Sequence, residues 1–468
     1  MINWLQSFTE TFHPESWSMD AEELTHYSRD AWPVVIKMSQ AGQTLYAPQV
    51  VFHPQFPNEV VDVLKWANAH RVPVTAWGAG SGVVGAALPT EGGILLDLSR
   101  LNKILVLDET NLLVKVQAGM LGHYLEAELN SRGFTLNHSP QSLDRSTVGG
   151  WIATRACGQF SSRWGGIENL ALAVTVVLAS GETITTRLAP RAATGPDIKS
   201  VFIGSEGTLG IVLDVTLKIF PLAETRLLET LSFPSIEGGL KGMRKLMQSG
   251  LRPFLIRFYD ADESRFVAPW SGVTPPANAN LFLLGCEGTA EMAQIEYMSA
   301  LRILESEGGE ILGKEIAQGW MDHRFDFSGV ENRLAQSGGV AETIEVAGLW
   351  SDMPEIYQAL KKNLAPLAEH VLGHFSHAYP QGVSLYMILL GEAADAKAAE
   401  ARLREIWEVA MQTSMEHGAA ISHHHGIGLA REKYLRQELG SSYRVLEQVK
   451  HALDPQGILN PGKLGFRR

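Results

Sequence analysis

Apolar residues recur at helical spacing in "PNEVVDVLKWANAH", where Val60, Val63, Leu64 and Trp66 fall on one face. The compact run "VPVTAW" then predicts a buried strand, and after a glycine-rich loop "GGILLDLS" and "LLVKVQAG" predict two more. "LGHYLEAELNSRG" reads as a helix stopped at Gly133. "ALAVTVVLASGETITT" reads as a hairpin turning at Ser180-Gly181, and "GIVLDVTLKIFP" as a further strand. The first forty-odd residues are loosely amphipathic and helical, with a capping start at Ser18 or Asp20 in "SMDAEEL". Beyond Pro221 the alternations lengthen through "ETLSFPS", "PFLIRFYD" and "ANLFLLGCEG". Helices are predicted over "GGLKGMRKLMQSG", after Thr289 and over "ADAKAAEARLREIWEVAMQTSMEHG". That is the rhythm of an antiparallel sheet backed by helices. The pattern divides the α+β chain into a helical segment (1–45), a first domain (46–223), a second, sheet-and-helix domain (224–420) and a C-terminal return (421–468).

At 468 residues, 45% hydrophobic and 19% charged, the chain suits a globular protein of two or three domains. A net charge of −12 argues against a broad nucleic-acid-binding face. It leaves room for a small anionic substrate held by a few arginines. The two cysteines, Cys157 and Cys286, make neither a disulfide framework nor a zinc ribbon. The N-terminal stretch lacks a signal-peptide pattern, and no apolar run approaches the ~20 residues that span a bilayer. Cytoplasmic placement is the expectation, with peripheral membrane contact left open.

"WGAGSGVVGAALP" contains Gly80-x-Gly82-x-x-Gly85, formally a dinucleotide fingerprint. That fingerprint requires a helix opening directly after the loop. Here Pro89 and "TEGG" intervene and a strand follows, so the Rossmann reading is rejected. The alternatives are an ordinary glycine-rich turn or a nest of backbone amides for phosphate oxygens, which Gly78, Gly80 and Gly82 would leave free of Cβ atoms. "PQSLDRSTVGGWIATRACGQFSSRWGGIENL" and "GSEGTLGIV" are similarly dense in small residues and favour the nest.

Taken in order, "WGAGSG", "PQSLDRSTVGGWIATRACG", "GSEGTLGIV" and the ending "DPQGILNPGKL" resemble the FAD-binding flavoproteins of the vanillyl-alcohol oxidase fold, over roughly 47–465. Within that fold "STVGGWIATRACG", "RAATGPDI", "FLIRFYD", "GVSLYM" and "SHHHGIG" are most similar to the alkyldihydroxyacetonephosphate synthases. The resemblance implies an FAD-binding domain of two subdomains plus a substrate (cap) domain carrying an antiparallel sheet and helices. It implies cofactor contacts from Trp77, Gly78, Ala79, Gly80, Ser81, Gly82 and Val83. Others would come from Gln141, Ser142, Ser146, Thr147, Gly149, Thr154, Arg155, Ala156 and Cys157, and from Glu206, Gly207, Gly210, Ile211 and Val212. Arg257 matches the arginine that holds an anionic substrate, Tyr386 the catalytic tyrosine, and His423, His424 and His425 its histidine loop. No histidine lies between Arg71 and Gly122, so noncovalent FAD is expected.

A second branch, similar to the D-lactate and glycolate dehydrogenases, binds a divalent metal through GHxGDGNxH and EHG stretches. Here His374 fits the first ligand, but Tyr386 and His424 stand at two others, so no metal is assigned. His374 is instead placed with Arg257 at the substrate. A different metal site from His374, His377 and the triple run, or a solvated loop without chemistry, are the competing readings. Proton transfer suits histidine best, with its pKa of about 6.5. Positive histidines beside Tyr386 would favour its phenolate. If the loop is extended, His423 and His425 face one side and His424 the other. Arg191 would touch phosphate or pair with Asp197, and Lys463 would contact the closing loop.

Two functions compete. One is an FAD-dependent oxidoreductase passing hydride from a small hydroxylated anion (a hydroxy acid or phosphate ester) to flavin N5. The other is an alkyldihydroxyacetonephosphate synthase-type transferase with redox-neutral adduct chemistry at that atom. The expected partners are that small molecule and an unknown electron acceptor, with a homodimer possible.

Overall fold

The computed structural model describes residues 3–43 and 46–467. Met1, Ile2, Thr44, Leu45 and Arg468 lie outside the described residues, and so does part of the expected boundary at 45 and 46. Three larger sheets and a two-stranded pair, Phe134–Thr135 with Phe220–Pro221, organise the described residues. The first runs in the order Trp17–Ser18, Val50–Phe52, Ile94–Asp97, Val74–Trp77, the last three strands parallel. The helix Pro57–His70 lays Val60, Val63, Leu64 and Ala67 against it, as its apolar spacing requires. Asp20 caps the short helix Ala21–His26 through the amides of Glu22 and Glu23.

The second sheet is antiparallel, in the order Ile104–Asp108, Leu113–Gln117, Ile211–Lys218, Ala171–Val177, Thr183–Thr185. Gly181, at φ +81°, makes the predicted hairpin turn. Val177, Ile211 and Leu213 of this sheet, with Ala179 just beyond its strand, share one core with the first, so the two subdomains are packed as a unit.

The third sheet has seven antiparallel strands. Its order is Glu310–Gly313, Thr225–Phe233, Asn280–Gly288, Leu255–Tyr259, His370–Ser376, Gly382–Glu392, Gly339–Leu349. One face buries Leu385, Met387 and Leu389 against Leu403, Ile406 and Met411 of the long helix Ala396–Glu416. Alternation then sends Tyr386 to the opposite face, toward the first domain. The C-terminal return closes the molecule: Asn460 donates to the carbonyls of Ala86 (3.0 Å) and Glu206 (2.7 Å), and Lys463 to that of Leu88 (2.7 Å). Lys463 therefore sits on the continuation of the glycine loop.

The N-terminal helix Pro33–Gln40 packs Val34, Val35 and Met38 into the core of the third sheet. Its Lys37, fully buried, donates to the carbonyls of Leu334 (2.7 Å) and Gln336 (2.6 Å), at the end of the helix Ser328–Ala335. Replacing Lys37 by Met keeps the stem but removes both bonds, leaving Leu334 O with Gln40 Nε2 (2.9 Å) and Gln336 O with the Gly339 amide (3.0 Å). Lys37→Met should lose about 0.5–1.5 kcal/mol of stability in a denaturant titration; an unchanged midpoint would show that the bonds are not needed there.

Candidate functional site

The site assembles where three separated segments of the first domain meet the sheet of the second. A Cβ on Gly78 would lie 2.3 Å from Thr147 Oγ1, one on Gly207 3.7 Å from the Ala76 side chain, and one on Gly426 2.6 Å from Glu206 Oε1. The glycine loop, the stretch after Thr147, the 206–207 turn and the histidine loop are therefore in mutual contact. No helix opens after the glycine loop; the next strand is Ile94–Asp97, so the rejection of the Rossmann arrangement stands.

The glycine-loop residues Gly78, Ala79, Gly80, Ser81, Gly82 and Val83 are all at least partly exposed, between buried Trp77 and Val84. Among the described residues their amides donate to no protein group, whereas the carbonyls of Gly80 and Gly82 accept from Ala31 N at 3.0 and 3.1 Å. Amides left open on one side of a loop anchored on the other suit the diphosphate of a dinucleotide. The added Cβ at Gly82 would meet nothing nearer than Asp30 Oδ2 at 3.9 Å, so its open side is not filled by protein. The residues present therefore fit an FAD diphosphate.

Other expected cofactor residues divide by environment. Thr147 Oγ1 accepts from Gly150 N at 3.2 Å, and Thr154 Oγ1 donates to Gly150 O at 3.0 Å beside Gly426. Ser146 is bonded internally to Trp151 and Ser142, while Gln141 is exposed. Gly149 and Gly210 permit close packing: a Cβ at either would strike Ala118 (2.7 Å) or Val176 (2.4 Å). Ile211 and Val212 send their side chains into the two cores, and Ala156 is buried beside them. Arg155 is a left-handed helix stop at φ +56°, with its guanidinium 3.4 Å from Glu168. Burial pushes the Cys157 thiol up to about 12, so it is not a thiolate. Asp197 bonds Lys199 and Ser200 rather than Arg191, which is exposed, so that expected pair is corrected.

Across the sheet, antiparallel register sets Tyr259 opposite His374, His374 opposite Tyr386, and Tyr386 opposite Glu345. Partners in one row project from the same face, and Arg257 joins them one pleat along from Tyr259. Arg257 donates to Tyr259 Oη (2.7 Å) and to His374 Nε2 (2.6 Å). Because a guanidinium only donates, His374 Nε2 is an acceptor and its proton is on Nδ1, facing Glu263 at 2.8 Å. Burial and the neighbouring Arg257 hold His374 well below 6.5, and burial lifts Glu263 to about 8 against the pull of Arg257 and Lys361. The His374 ring stacks on Tyr386 at 4.9 Å.

Glu345 was not singled out in the sequence. Its carboxylate is fully buried and accepts from the amides of His423 and His425 (2.8 Å), from Ser422 Oγ (3.1 Å) and from the fully buried Arg431 (3.0 Å). Burial alone would raise it; Arg431 first, then His425, His424 and the His423 amide, bring it down to about 2. At the other end of the loop Glu206 accepts from the amides of Ile427 (2.5 Å) and Gly428 (3.0 Å). The Glu206 side chain, expected at the cofactor, is thus committed to the histidine loop.

The loop is curled rather than extended, so the expected alternation of the three histidines does not hold. Two amides turned onto Glu345 throw the rings together, His423 against His424 at 5.2 Å and His424 against His425 at 4.5 Å. Nor do the histidines supply positive charge to Tyr386. Burial lowers His423 and His424 to about 3 and His425 to about 4, and it pushes the Tyr386 phenol above its usual value. His377, which stacks on His423 at 4.9 Å, and Tyr379, bonded to His423 Nε2 at 2.8 Å, complete the cluster. A ring nitrogen from each of His377, His423 and His424 lies within 4.8 Å of the others.

Residues 48–187 match the family described as FAD binding domain, and residues 222–464 match FAD linked oxidases, C-terminal domain. The chain belongs to the FAD-linked oxidase family. It is 29% identical to alkyldihydroxyacetonephosphate synthase of Trypanosoma brucei brucei, over 93% of this chain and 75% of that protein. It is 27% identical to D-lactate dehydrogenase of Anaerostipes hadrus, over 90% of each. Among solved structures, an alkyldihydroxyacetonephosphate synthase superposes with a TM-score of 0.83 at 22% identity, over 99% of this chain and 85% of that one. Substrate-bound p-cresol methylhydroxylase gives 0.82 at 17%, over 99% and 96%. The fold is therefore the vanillyl-alcohol oxidase type with an antiparallel cap, and the protein is an FAD enzyme. Among the described residues no helix is long and apolar enough to cross a membrane.

Two outcomes follow from this geometry. Gly78→Ala drives a methyl into Thr147 and should lower FAD occupancy, read from flavin absorbance after desalting. Gly329→Ala, with nothing within 4 Å of the new methyl, should leave it unchanged. Equal occupancy in both would contradict the contact. Glu345→Gln leaves Arg431 buried without its anion and should cost about 3–5 kcal/mol. A carboxyl depressed from 4.5 to about 2 contributes stability that is present above pH 4.5 and lost as pH falls toward 2. The three histidines act in the same sense between 6.5 and their lowered values, since only the unfolded chain binds those protons. Melting temperature should therefore fall from pH 7 to 4, and the further acid loss below pH 4.5 should be smaller in Glu345→Gln than in the parent.

Proposed function

We propose that the chain oxidises a small hydroxylated anion, a hydroxy acid or a phosphate ester, with noncovalently held FAD. The observation that carries this is the shared face on which Arg257, His374, Tyr386 and the histidine loop project toward the glycine-lined segments. Bound FAD supplies a two-electron hydride acceptor. Arg257, whose Nε and one Nη are taken by Tyr259 and His374, keeps its remaining Nη for the anionic end of the substrate. His374, fixed as the Nδ1–H tautomer by Arg257 and Glu263, orients that arginine and packs the Tyr386 ring. Tyr386, a neutral phenol, hydrogen-bonds the substrate hydroxyl. His424, its ring 6.1 Å from Tyr386, takes the hydroxyl proton at Nε2, and anionic Glu345 close by stabilises the imidazolium as it forms.

The histidines are read as proton carriers rather than metal ligands. A metal needs lone pairs that converge on one point about 2.0–2.1 Å away. The His377 and His423 rings lie face to face, 25° apart, so their in-plane lone pairs run side by side. The Nδ1 atoms of His423 and His424, 3.0 Å apart, satisfy one another.

Similarity to alkyldihydroxyacetonephosphate synthase favours a second reading, in which the same cofactor supports redox-neutral transfer of an alkyl group. Arg257 and the histidine loop would serve either reaction. Anaerobic addition of hydroxy acids should bleach the flavin under the first reading. Bleaching reversed by a long-chain alcohol, with an ether product and no electron acceptor, would support the second, and a panel that leaves the spectrum untouched would count against both. Tyr386→Phe and Arg257→Ala should each lower turnover by about 10²-fold or more while retaining FAD; loss of FAD in either would show the residue to be misplaced.

A further inference from the structure

Tyr379 lies on the short connection between the strands His370–Ser376 and Gly382–Glu392, and its side chain reaches the surface, the residue being 37% exposed. Its hydroxyl is 2.8 Å from His423 Nε2 and is also bonded to the Cys157 thiol. The other nitrogen of His423, Nδ1, faces His424 Nδ1 at 3.0 Å. His424 Nε2 has no protein partner among the described residues, and its ring lies 6.1 Å from that of Tyr386. An unbroken line of hydrogen bonds thus runs from the substrate face of the histidine loop to the outside. His377, anchored by Ser161 Oγ at 2.6 Å, covers the face of the His423 ring and holds it in that line.

We propose that Tyr379 is the solvent-side end of a proton relay through His424 and His423, which discharges the proton released when the substrate hydroxyl is oxidised. The relay rests on the oxidoreductase reading. In the resting arrangement His424 carries its hydrogen on Nδ1 and donates it to His423 Nδ1, while His423 donates Nε2–H to Tyr379 Oη. The proton leaving the substrate oxygen forms a bond to His424 Nε2. The Nδ1–H bond of His424 breaks as His423 Nδ1 gains that hydrogen, and the Nε2–H bond of His423 breaks as Tyr379 Oη gains one. Tyr379 passes its own hydroxyl hydrogen to water. One proton enters, one leaves, and no residue keeps a charge.

The setting favours such an exit. His423 and His424 are half-buried, and desolvation holds both far below their ordinary pKa, so neither stores a proton at neutral pH. Glu345 does not accept one either, since Arg431 and the loop amides keep it ionised. A base that cannot retain its proton turns over only if the proton is passed on. Tyr379 is the one neighbour of the cluster with both a hydrogen bond to it and exposure to water among the described residues.

The test uses FAD-loaded parent and Tyr379→Phe, which keeps the ring and should keep the fold and the flavin. With ¹⁵N-histidine labelling, long-range ¹H–¹⁵N spectra of the substrate-free holoenzyme should show His423 as the Nε2–H tautomer and His424 as Nδ1–H, and only the His423 signals should shift strongly in Tyr379→Phe. With a compound that bleaches the flavin, the reduction rate should fall about 10- to 100-fold in Tyr379→Phe, with a larger solvent deuterium effect, little change in half-saturation, and partial rescue by free imidazole. A His423 Nδ1–H tautomer in the parent, an unchanged rate and solvent isotope effect in the variant, or stoichiometric metal on these rings would overturn the relay. If no compound bleaches the parent, the oxidoreductase reading fails while the tautomers still decide the relay geometry.

Discussion

Two buried carboxylates fix the geometry on which the site depends. An ion removed from water costs several kcal/mol unless its lone pairs are met. Glu345 meets that demand with two amides and a hydroxyl of the histidine loop and with Arg431; Glu206 meets it with two amides at the far end of the same loop. One carboxylate belongs to the cap sheet and the other to the first domain. The loop is therefore shaped by where two charges sit, and it forms only when both domains are in place. Its three imidazoles are a consequence: with the amides turned onto Glu345, the rings have one side left to occupy.

The glycines of the first domain serve two purposes that sequence does not separate. Gly149 and Gly210 let backbone pass close to Ala118 and Val176, where a side chain would collide. The loop at 78–83 instead leaves amides without a protein acceptor among the described residues. Packing glycines bring the walls together, and the open amides line what remains. The cap contributes a seven-stranded sheet whose other face packs on helices, the long helix Ala396–Glu416 among them, so the residues on the inner face are free to serve chemistry.

Elements with strong periodicity were legible from the chain alone: the helix Pro57–His70, the turn at Gly181, the long helix before the histidines. The order of the glycine-rich motifs was enough for the cofactor. Register was not legible. That Tyr386 pairs with both His374 and Glu345 depends on three strands settling into one alignment, and nothing local in "GVSLYM" states it. Glu345 in "AETIEVAG" reads as an ordinary polar position of an alternating strand; the available signal was a second acid, Glu342, on the opposite parity of the same short run. The histidine loop misled because alternation was applied to a segment held by side-chain acceptors rather than by a neighbouring strand. Burial likewise reverses the electrostatics a histidine run suggests, giving neutral rings rather than a cationic patch.

The central claim is that open amides at 78–83 and the row of side chains on the cap sheet face the same bound cofactor. A crystal structure of the FAD-loaded protein tests it most directly. The account predicts the diphosphate on the 78–83 amides and the flavin ring between Thr154 and the histidine loop, within reach of a substrate held by Arg257 and Tyr386. A diphosphate elsewhere, or a flavin ring on the far side of the first domain from Tyr386, would contradict it.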